Sequence, residues 1–82
     1  MPLYFLHVQD GDELVQDSEG QQFDDLEAAK AEAILVAREL MAEALRTGRP
    51  IGLTKAVLIE EAEGGAISRV SFADALPSDT SN

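Results

Sequence analysis

The run DDLEAAKAEAILVARELMAEALRTGRP, Asp24 to Pro50, constrains the fold more than any other part of the chain. Asp24 is a good N-cap, and Glu27 three residues later completes a capping-box pattern. Asp25 and Glu27 suit the positive end of a helix dipole, and Arg46 suits the negative end. Gly48 fits the left-handed position just past a helix, and Pro50 forbids continuation. Between these signals Leu26, Ala29, Ala33, Val36, Ala37, Leu40 and Ala44 recur at helical spacing, and Ile34, Met41 and Leu45 widen the same face. Glu32, Glu39, Glu43 and Arg46 mark the wet side. Leu35 is the misfit, about 180° from Leu26 at ~100° per residue. A helix of this length is ~30 Å long and cannot bury its own apolar stripe, so the flanks must supply a surface for it.

Both flanks read as β structure. Leu3 to Gln9 is rich in residues that favour strands, with Tyr4, Leu6 and Val8 on one face and Leu3, Phe5 and His7 on the other. Asp10-Gly11 is a strong turn dipeptide, and Leu14 and Val15 centre a short return strand. After the helix, Ala56-Val57-Leu58-Ile59 is apolar on both faces, as in a central strand. Glu63-Gly64-Gly65 turns the chain into a last strand, Ile67 to Phe72, and Phe72 to Leu76 packs back on the sheet. The expected fold is α+β, ordered β-β-α-β-β, with one long helix packed on one face of a mainly antiparallel four-stranded sheet. Residues 1–76 form one compact domain and 77–82 a flexible polar tail. The second sheet face is left without cover. Leu3, Phe5, Val57 and Ile59, together with the outlying Leu35, are therefore the interface candidates, and a homodimer through the open sheet face or an edge strand is expected.

Charge excludes several partners. Sixteen acids against six bases leave the chain at −10. Asp10, Asp12, Glu13, Asp17, Glu19, Asp24, Asp25 and Glu27 all precede the first base, Lys30. Such a chain repels nucleic-acid phosphates and anionic membranes, and leaves a basic protein as the electrostatically allowed partner. There is no cysteine for a disulfide, a thiolate nucleophile or a Cys-ligated zinc site. No apolar run approaches the ~20 residues of a membrane span, and the start does not read as a signal peptide, so a cytoplasmic location is expected.

The chemistry-bearing candidates are few. His7, the only histidine, stands just before Asp10 and Asp12, which makes the three weak candidates for a zinc or manganese site. No second histidine fixes a geometry, and a packed or hydrogen-bonded histidine is the plainer reading. An EF-hand loop starting at Asp10 fails, because Leu14 and Val15 occupy the fifth and sixth positions. Pro2 would offer a basic amine if Met1 were removed, as in small tautomerases. Gly48 to Lys55 has the wrong spacing for a phosphate loop and follows a helix instead of preceding one. Ser18, Ser68 and Ser71 lack a strand-turn-helix elbow.

Four short stretches in a fixed order, YFLHVQDG, DSEG, DLEAAKAEA and FADAL, resemble a family of small uncharacterised bacterial proteins. Its members typically begin Tyr-Phe-Phe-His-Val followed by Asp-Gly, and carry Asp-x-Glu-Gly before an alanine-rich helix. Leu6 here stands where that pattern has a second phenylalanine. The resemblance runs from Met1 to Leu76. It implies a compact α+β domain and supplies no catalytic or binding residues. The expectation is a non-enzymatic domain without cofactor that acts through protein–protein association. A metal- or small-ligand-binding module built on His7 and nearby carboxylates is the alternative, and an N-terminal-proline enzyme ranks third.

Overall fold

The computed structural model describes residues 1–77. The expected tail beyond Pro77 lies outside the described residues. Five strands and two helices follow in the order β1 (Leu3–Asp10), β2 (Glu13–Val15), β3 (Gln21–Gln22), α1 (Leu26–Arg46), β4 (Ala56–Glu61), β5 (Ile67–Ser71) and α2 (Phe72–Ala75). The sheet is antiparallel throughout, ordered β2-β1-β4-β5, with β3 beside β2 on the same edge of β1. The α+β architecture and the β-β-α-β-β order are as the sequence implies. β3 and the four-residue α2 are additions to it.

Helix α1 begins one residue later than the capping-box pattern suggests. Asp25, not Asp24, is the N-cap, and its carboxylate accepts the Ala28 N–H at 2.9 Å. Asp25 has the extended backbone a cap requires, with φ −160° and ψ −179°. At the other end Gly48 takes φ +73°, and the Gly48 and Arg49 N–H groups return to the carbonyls of Leu45 and Ala44.

The helix lies on the sheet through Ala29, Ala33, Ala37 and Met41, all buried. Small side chains at four-residue spacing let the helix axis come close to the strands. The receiving layer is Tyr4, Val57, Ile59 and Phe72, joined by Phe23 and Ala75. Tyr4 and Phe23 meet with ring centroids 5.9 Å apart. Val57, Ile59 and Phe72 are the largest fully buried side chains, each worth roughly 1.5–3 kcal/mol over an exposed position. α2 seals the lower end, where Ser71 caps it and Arg38 Nε donates to the Ala75 carbonyl at 2.7 Å.

Registry corrects the reading of β4. Leu6 pairs with Ile59 and Val8 with Val57, and directly paired residues point to the same side. Val57 and Ile59 therefore face the helix at 0% exposure and are not available to an interface. Leu58, paired with His7, lies on the uncovered face together with Ala56 and Glu60. Leu40, expected in the core, is 43% exposed, because the last turns of α1 overhang the short strand β2. Leu35 is 51% exposed on the far side of the helix.

Candidate functional site

Three unlike partners line one edge of β1. Its bond from the Ala62 N–H to the Leu3 carbonyl marks Leu3, Phe5, His7 and Gln9 as the residues whose backbone groups turn to β4. Tyr4, Leu6, Val8 and Asp10 turn the other way. β2 pairs with residues 8–10 and β3 with residues 3–4. Leu6 falls in the gap, and there the Asp17 carboxylate takes the place of a strand, accepting the Leu6 N–H through Oδ2 at 3.1 Å. Asp17 Oδ1 accepts the N–H groups of Glu19 at 3.2 Å and Gly20 at 3.1 Å, which closes the 17–20 turn. Burial alone would raise the Asp17 pKa, but the N–H groups of Gly20, Leu6 and Glu19 and the adjacent His7 outweigh it. The carboxyl is held below its ordinary value of 3.8.

The same turn folds over His7. The Asp17 N–H donates to His7 Nδ1 at 3.0 Å, and His7 Nε2 lies 2.8 Å from Glu60 Oε1 on β4. Because Nδ1 accepts a backbone proton, the imidazole proton sits on Nε2 and is donated to Glu60. Phe5 stacks beside the ring, 6.2 Å between centroids and 7° from parallel. Gly20 closes the cluster at φ +76°, where an added Cβ would lie 3.0 Å from Phe5 Cε1. His7 is thereby 7% exposed on the face away from the helix.

This arrangement does not bring His7 together with Asp10 and Asp12. Asp10 shares the helix-side face of Tyr4 and Val8, and Asp12 is exposed in the turn beyond it. Strand alternation alone separates them. Among the described residues no group of three His, Asp or Glu side chains is placed to hold a metal ion. With both ring nitrogens engaged, His7 cannot accept a proton or a metal without giving up one of these bonds. Pro2 is exposed beside a depression lined by Glu61 and Glu63, where an acidic substrate would meet acids instead of cations. Leu3 and Phe5 lie on the uncovered face, half-buried under the 17–20 turn.

Two members of the cluster escape a reading of the sequence. Asp17 carries a local signal, since Asp-x-x-Gly is a turn pattern. Glu60 carries none, being 53 residues from His7. The residues that the resemblance drew together, Phe5, His7, Asp17 and Gly20, thus meet in one place.

The model of the domain of unknown function DUF6894 matches residues 3–73. The chain belongs to this family. No curated protein and no solved structure matches it significantly. The DUF6894 match spans all five strands, the whole of α1 and every member of the His7 cluster. Among the described residues no helix of this DUF6894 domain is long and apolar enough to cross a membrane.

Proposed function

We propose that this DUF6894 domain is a non-enzymatic cytoplasmic association module that pairs with a second copy of itself through the sheet face opposite α1. Charge distribution carries the reading. By register the strand side chains of that face are Leu3, Phe5, His7 and Gln9 of β1, Leu14, Gln22, Ala56, Leu58, Glu60, Ile67, Arg69 and Ser71. They include one acid, Glu60, and one base, Arg69, on a chain with net charge −10. Most of the other acids lie on the outer side of α1 and in the turns, while Asp17 and Glu19 sit in the 17–20 turn over the Phe5–His7 end of this face. Beyond that end, across Leu14, Leu58 and Ile67, a second copy meets apolar side chains with little like-charge repulsion, whereas approach from any acidic side is opposed.

Leu14 and Ile67 are 44% and 62% exposed at the two margins of this face, with Leu58 half-buried between them. Two such sheets stacked ~10 Å apart would bury these side chains against each other. The His7 cluster then has a structural part in the module: it locks the 17–20 turn over Phe5 and shapes one end of the face.

Sedimentation equilibrium at about 100 μM tests the reading. The wild type is expected as a dimer, and a Leu58→Glu, Ile67→Glu variant as a folded monomer. A monomeric wild type at that concentration overturns it.

A further inference from the structure

A second surface feature lies on the helix side of the sheet, away from the face proposed for pairing. The overhanging end of α1, β2 and the loop before β4 enclose an open cleft of about 640 Å³. That volume falls within the roughly 300–1,000 Å³ of small-molecule sites. Its walls include Val15, Leu40, Ile51 and Phe72. Val15 is 67% exposed although its register places it on the helix side of the sheet, since nothing closes over it there. Apolar wall is therefore left wet inside a concavity.

Cations stand at the rim. Arg49 and Lys55 both line the cleft, two of only six bases in the chain. Lys55 is held in place by its own loop. Its N–H donates to the Gly52 carbonyl at 2.9 Å, and its stem folds back over Gly52 so closely that a Cβ there would lie 2.8 Å from Lys55 Cδ. Gly52 takes φ +73°, so glycine permits both the turn and the close approach. Lys55 Nζ forms an ion pair with Asp10 Oδ2 at 3.7 Å, too long for a hydrogen bond, so its charge is shared with Asp10 while its N–H donors can still turn to a ligand carboxylate. Arg49 donates through Nε to Thr47 Oγ1, and among the described residues no carboxylate lies within 4.0 Å of its guanidinium. In a chain with so large an acid excess, an arginine without a carboxylate is a cation in reserve. The two rim acids are already turned to bases, Asp10 towards Lys55 and Glu43 to Arg46.

We propose that the cleft binds a small amphiphilic monoanion, an aliphatic or aromatic monocarboxylate, with its apolar body on Val15, Leu40 and Ile51 and its carboxylate at Arg49 and Lys55. The overall negative field and the two rim acids disfavour polyanions, and an apolar wall of this extent disfavours a fully polar ligand.

Titration of the full chain with octanoate, octanol and octylammonium, followed by amide ¹H–¹⁵N shifts, tests this. Octanoate should bind most tightly, moving the resonances of residues 40–44 and 49–55, and octylammonium most weakly. Arg49→Gln with Lys55→Gln should weaken octanoate about tenfold or more, equivalent to ~1.4 kcal/mol, and leave octanol unchanged. Octylammonium binding as tightly as octanoate, shifts confined to Leu3, Phe5 and Leu58, or no saturable shift with any probe would each overturn the proposal. None of these outcomes depends on whether the chain dimerises through its other face.

Discussion

Removing the Asp17 carboxylate should be among the most damaging changes available outside the core. Asp17→Ala deletes three charge-assisted bonds, to the N–H groups of Leu6, Glu19 and Gly20. A hydrogen bond to a charged group contributes about 1.5–3 kcal/mol, less where solvent competes. Taking the two part-buried bonds at the low end and the exposed Glu19 bond as small, the loss is about 3 kcal/mol. A domain of this length has roughly 4–12 kcal/mol in all, so the variant should sit near the limit of stability. Its thermal midpoint should fall by roughly 12–24 °C. Asp17→Asn is a finer probe. With its oxygen at the Oδ1 position it keeps the Glu19 and Gly20 bonds and sets an amide NH₂ against the Leu6 N–H, costing about 1.5–2 kcal/mol. The pH dependence follows from the lowered folded pKa. The carboxylate's contribution is complete above the ordinary value of 3.8 and is lost as the pH falls through the folded value. Urea unfolding at pH 7 should show the full gap between wild type and Asp17→Ala, and the gap should narrow progressively as the pH is taken below 3.8. An unchanged gap across that range, or an Asp17→Ala variant as stable as the wild type at pH 7, would refute the argument.

His7→Ala should cost about 2–4 kcal/mol in urea unfolding, from the cavity it leaves and the unpartnered Asp17 N–H. Long-range ¹⁵N correlation near pH 9 should find the ring proton on Nε2, the tautomer that lets Nδ1 accept the Asp17 N–H. Gly20→Ala should cost about 1–3 kcal/mol, since an L-residue is strained at φ +76° and its Cβ would press on Phe5. Ile59→Ala should cost about 2–5 kcal/mol while Ile67→Ala stays within about 0.5 in protein dilute enough to be monomeric, a contrast that checks by denaturation which isoleucine faces the helix.

The helix was readable because its signals are local: apolar spacing, acids at one end, Gly48 and Pro50 at the other. The one-residue error at its start reflects two adjacent aspartates, either of which can cap, with the backbone choosing between them. The strands were readable from turn dipeptides and β-branched runs, but not which face of β4 meets α1. Val57 and Ile59 are as apolar as Leu58, so a run greasy on both sides carries no parity signal, and only registry with Leu6 and Val8 decides it. β3 is two glutamines paired beside the chain's first residues, without any side-chain pattern to mark it. The site was half legible. His7 stood out as unexplained beside its acidic turn, yet the acids nearest in sequence are not its partners. Alternation turns Asp10 away, the Asp17 turn folds back, and Glu60 arrives from the distant strand β4.

The central place of β1 has a bearing on how the chain acquires its structure. One neighbour, β2, is its immediate successor, while the other, β4, is made only after the helix has been completed. A nascent chain that has emerged as far as Gly48 has only the sequence of the helix and of the first hairpin, with the helix-side surface of Tyr4 and Leu6 lacking Val57 and Ile59. Contacts that join residues some fifty positions apart form slowly, because the intervening loop must first be closed. The decisive folding event is therefore the docking of β4 alongside β1. Until it happens the alanine stripe of α1 has only half a platform, so the N-terminal half is the stage at which this chain is most exposed to proteolysis and misassociation.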